Sequence, residues 1–128
     1  MKNYILAVLV APLLISCASL KDMIPSFWDA NQSQMIINVR QSIDKLNCDE
    51  AHAPQVQVIS DQLRWFELYS ESKKTKDVQK LIKPMQETVA DFLKRSNEKQ
   101  GSKAYCEIKK KALALQAKAA ASAVLGRY

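Results

Sequence analysis

Only two glycines, Gly101 and Gly126, and four prolines punctuate this chain of 128 residues. A sandwich or barrel of short strands needs turn residues about every ten positions, and so few breakers cannot supply them. The chain is therefore built from a few long elements, and its apolar residues recur at helical spacing.

Four such stretches follow one another. Met35, Ile36, Val39, Ile43 and Leu46 predict a helix over about 27–46, opened by Ser26-Phe27-Trp28-Asp29 as a capping box. Asn47 to His52 interrupts the pattern. Pro54 then suits the first turn of a second helix, where a missing amide hydrogen costs nothing. Its stripe is Val56, Ile59, Leu63 and Phe66, and it runs to about Ser70. A third helix carries Val78, Leu81, Ile82, Met85, Val89, Phe92 and Leu93 to about Ser96. Pro84 lies inside it and removes the amide that would bond to the Lys80 carbonyl, which predicts a kink there or a break at Lys83. Ser102 caps a fourth helix, whose expected inward stripe is Tyr105, Ile108, Ala112, Leu115 and Ala119, and Gly126 ends it. Short connections favour antiparallel neighbours, so the expected fold is all-α, a small up-down bundle of about four helices.

The first residues are of another kind. Lys2 precedes an apolar run from Tyr4 to Ile15, interrupted at Pro12, which has the outline of a secretory signal. It is shorter than the roughly 20 residues that a spanning helix needs. It closes on Leu14-Ile15-Ser16-Cys17, which resembles the lipobox of bacterial lipoproteins. That resemblance covers residues 1–17. It implies cleavage between Ser16 and Cys17, diacylglycerol on the Cys17 thiol and an acyl chain such as palmitate on the new amino terminus. The organisation it implies is a signal peptide over 1–16, a membrane tether over 17–25 and a helical domain over 26–128. Ala18 stands where an aspartate would retain such a protein at the inner membrane. The resemblance therefore implies a lipid-anchored protein of the outer membrane, facing the periplasm.

With Cys17 lipidated, Cys48 and Cys106 remain as an even pair in an oxidising compartment, where a disulfide is the natural state. Two separate thiols are the alternative. No Cys-x-x-Cys spacing or βαβ pattern points to redox chemistry.

Charge is uneven along the chain. Cys17 to Ser72 holds four basic and eight acidic residues, and Lys73 to Tyr128 holds fourteen basic and five acidic. The basic half could meet anionic lipid or wall polymers, or the acidic half could pack beside it. An exported, tethered domain does not ordinarily meet nucleic acid, so none is expected as a partner. His52 is the only histidine. With Asp49 and Glu50 it falls short of a defined zinc set, and it is expected in a solvated loop. No nucleophile-elbow sequence accompanies it, and no motif calls for a cofactor or a metal. Asp91 with Arg95 and Glu107 with Lys111 have the spacing of helix-surface ion pairs. Phe27, Trp28, Trp65, Phe66 and Tyr69 are aromatic residues suited to a partner surface, or else to the core. These features point to a non-enzymatic envelope lipoprotein that binds a protein partner or supports an assembly. An interference protein resembling phage-encoded superinfection-exclusion lipoproteins is the alternative, and a cell-wall-acting enzyme is a weaker one.

Overall fold

The computed structural model describes residues 26–127, so the lipobox, Cys17 and the tether lie outside the described residues. Four helices follow in order: α1 Ala30–Asp44, α2 His52–Ser72, α3 Lys76–Glu98 and α4 Lys103–Leu125. Each packs on its neighbour in sequence, and α4 closes the ring against α1. The fold is the expected all-α up-down bundle, and Cys48 is bonded to Cys106.

The first helix starts later than predicted. Asp29, not Ser26, is its cap, because a carboxylate at an extended residue reaches the Gln32 amide at 2.9 Å. Ser26 is used elsewhere and bonds to Asp77 of α3. The connection to α2 is tied by Gln55, which accepts from the Asn47 amide and donates to the carbonyls of Asn47 and Ala51. Ser102 caps α4 as predicted and accepts from the Tyr105 amide at 3.1 Å.

Pro84 does not break α3, which runs unbroken from Lys76 to Glu98. The proline is exposed on the outer face. The core sits between the four helices and takes the predicted stripes of α2 and of most of α3 at full burial, with Phe66 and Phe92 as its largest members. Leu81 and Leu93 are only partly buried beside it.

The predicted stripe of α4 holds only at its start, where Tyr105 packs on the core against Phe92. Cys106, Leu113, Ala117, Ala120, Ala121 and Val124 face the core, whereas Ile108 and Leu115 are 67% and 66% exposed. The helix is apolar on two faces, and its ends decide which one turns inward. Cys106 is held by Cys48 at one end, and Arg127 is held by Gln32 at the other.

Candidate functional surfaces

The two ends of the bundle differ in chemistry. At the disulfide end the Cα atoms of Cys48 and Cys106 are 5.7 Å apart, within the range that a disulfide spans. His52 opens α2 beside them and is 1% exposed, so it does not belong to a solvated loop. Its Nε2 lies 3.0 Å from the Cys48 carbonyl oxygen, and its ring meets Phe92 edge-on. The amide of His52 donates to the Gln100 side chain, which caps an otherwise uncapped helix start. The sequence pattern missed this placement because Asn47 to His52 is polar. Cys48, fixed by its bond, pulls the segment inward. Asp49 and Glu50 remain exposed, and Asp49 pairs with Lys103 at 2.8 Å. Among the described residues no group of three or more His, Cys, Asp or Glu is placed to hold a metal.

At the opposite end a buried polar network joins all four helices. Gln32 of α1 is fully buried. Its Nε2 donates to Thr75 Oγ1 at 2.7 Å and to Ser70 Oγ at 3.4 Å, and its Oε1 accepts from Arg127 Nη2 at 2.7 Å. Arg127 also donates to the Val124 carbonyl, and its Nη1 is 3.9 Å from Asp77. Burial pushes the Asp77 carboxyl up, but the hydroxyl and amide of Ser26, the Val78 amide and Arg127 outweigh it and hold the group below the usual carboxylate range. Asp29 behaves alike: against burial, the Gln32 amide, the Tyr69 hydroxyl, the Asn31 amide and Lys73 lower it.

The aromatic residues divide. Phe66 is core, Tyr69 is half-buried with its hydroxyl on Asp29, and Phe27, Trp28 and Trp65 are 89%, 51% and 64% exposed. Phe27 and Trp28 lie at the polar-network end, whereas Trp65 lies two turns back along α2. Ile108 and Leu115 add an exposed apolar stripe on α4.

Of the lysines, Lys109 pairs with Asp91 at 2.7 Å and lies over the Tyr105 ring, replacing the expected Asp91 to Arg95 pair. Lys110 donates to the Leu46 carbonyl. Ion pairing between the acidic and basic halves of the chain is confined to the Lys103 to Asp49 bridge among the described residues. An open groove of about 420 Å³ between α2 and α3 is lined by Glu67, Lys76, Gln79, Lys80, Lys83 and Gln86. No helix among the described residues is long and apolar enough to cross a membrane. No family model matches the chain, and no curated protein or solved structure matches it either.

Proposed function

We propose that this chain is a non-enzymatic envelope lipoprotein, cut between Ser16 and Cys17 and anchored by acyl groups on Cys17. Its disulfide-bonded helical domain would bind a protein partner or support an envelope assembly from the periplasmic face of the outer membrane. The observation that carries the reading is Leu14-Ile15-Ser16-Cys17 at the end of a short apolar run. Each buried acyl CH₂ contributes about 0.8 kcal/mol, so several chains hold a protein where one barely does. The bond between Cys48 and Cys106 supports the oxidising compartment that the signal implies. A binding role is supported by the exposed apolar residues Trp65, Ile108 and Leu115. A non-enzymatic role is supported by the burial of His52, the one histidine of the chain, with its ring against Phe92. Metabolic labelling with a fatty acid, with Cys17→Ala beside the parent, tests the anchor. The parent should be labelled and the variant not, and label that persists in the variant would end the lipoprotein reading.

A further inference from the structure

Residues 26–29 cross one end of the bundle, held at both sides. Ser26 is fixed to the first turn of α3 by its bonds to Asp77. Asp29 caps α1 and accepts from Tyr69 of α2. Between these fixed points stand Phe27, 89% exposed, and Trp28, 51% exposed. The core at this end is closed by the hydrogen-bonded side chains of Gln32, Thr75 and Arg127.

The turn from α2 to α3 lies at the same end and carries Lys73 and Lys74; α3 opens with Lys76, and Lys80 follows one helical turn further. Lys73 Nζ is 5.6 Å from the Tyr69 ring centroid, on the side chain that bonds to Asp29. Among the described residues no carboxylate lies within ion-pair distance of these four lysines. Glu71, in the last turn of α2, is exposed; Glu67 lines a groove with Lys76 and Lys80 but pairs with Arg64, and Asp29 and Asp77 are taken up by hydrogen bonds. Lys74 has φ 57°, the left-handed conformation in which glycine carries less strain. Stability alone therefore does not call for a lysine there.

We infer that this end of the bundle is a bilayer-docking surface, with Phe27 and Trp28 in the interfacial layer and Lys73, Lys74, Lys76 and Lys80 over anionic headgroups. The inference rests on the lipoprotein reading. Eight residues separate Cys17 from Ser26, and such a segment spans at most about 30 Å. The tether also enters the domain at this very end. Aromatic rings favour the level of the headgroups, and each lysine near an anionic surface strengthens attachment about fivefold. An acyl anchor by itself would leave the orientation of the domain free; these side chains would fix it end-on.

The test uses the full chain, purified from membranes and reconstituted into vesicles of phosphatidylcholine with or without phosphatidylglycerol, made with brominated acyl chains that quench nearby tryptophan. Trp65→Phe leaves Trp28 as the reporter, and Trp28→Phe leaves Trp65. Trp28 should be blue-shifted and quenched, more so with phosphatidylglycerol, while Trp65 is spared. Replacing the four lysines by glutamine should abolish the dependence on phosphatidylglycerol. Equal quenching of both tryptophans would mean a domain lying on its side and would overturn the inference. So would an unquenched Trp28, which would leave the end to a protein partner, or a lipid dependence that survives in the glutamine variant. Mass spectrometry of the amino-terminal peptide separates the two readings. Acylated Cys17 with an unquenched Trp28 overturns docking alone, whereas Cys17 without acyl chains overturns the anchor and the inference with it.

Discussion

Arg127 illustrates how much a single side chain near a chain end can hold. Its guanidinium is buried and supplies a hydrogen to Gln32, which in turn bonds to Thr75 and Ser70. Arg127→Ala would leave Gln32 Oε1 buried without that donor, and urea unfolding should show a loss of about 2–3 kcal/mol. Arg127→Lys should recover little of it, because an ammonium cannot reproduce the planar fork. Lys74 gives a change of opposite sign. It is the left-handed residue of a helix-ending turn in which the Thr75 amide bonds to the Ser70 carbonyl and the Lys74 amide to that of Glu71. Lys74→Gly should raise stability by about 1 kcal/mol, again by urea unfolding. The polar network was partly legible in the sequence. Gln32 is in phase with Ile36, Val39 and Ile43, and Ser70 with Leu63 and Phe66. Polar side chains in phase with an apolar stripe signal buried partners, but the identity of those partners is a matter of which helix ends meet.

Helix α4 shows where periodicity stops being informative. Both of its faces carry apolar residues at intervals of three and four, so neither pattern excludes the other. The distinction is measurable. Leu113→Ala should cost about 2–5 kcal/mol, as a buried leucine does, whereas Ile108→Gln and Leu115→Gln should change stability by no more than about 0.5 kcal/mol. The alanines on the buried face let α1 approach closely, and this is why the bulky residues can be left outside. Pro84 in α3 teaches the complementary point. Its position cost is real, but the proline is exposed, so the Lys80 carbonyl it leaves unbonded can turn to water and the helix continues. Pro84→Ala should therefore stabilise the protein by about 1–3 kcal/mol, read from the shift of its urea midpoint.

At the scale of the whole molecule, the disulfide links the connection between α1 and α2 to the first turn of α4 across 58 positions. In the chain-entropy account a closed loop of that length contributes about 4 kcal/mol, a large share of the 5–15 kcal/mol that holds a domain folded. Cys48→Ser and Cys106→Ser should lower Tm by similar amounts, and the double variant no further than either, since both remove one constraint. Two variants with the parent Tm would show that the bond restrains nothing. Acid should act on the opposite end. The carboxyls of Asp29 and Asp77 are lowered by folding, so the unfolded chain binds protons more readily. Their contribution is present above the unfolded aspartate pKa and is lost as pH falls through the folded values. Tm should decline as pH drops below about 4, and Asp77→Asn should flatten that decline.

By itself, the sequence determined the number of helices, their approximate limits and the inward stripes of α2 and α3, because spacing along one chain sets which side chains share a face. It also singled out Cys48 and Cys106 as partners by counting thiols once the lipobox cysteine is set aside. Only the tertiary structure decided the rotation of α4, the burial of His52, the network around Gln32 and the exposure of Phe27 and Trp28. Each of these depends on which ends of different helices come together. A covalent bond at one end and a buried guanidinium at the other choose between faces that are equally apolar in one dimension.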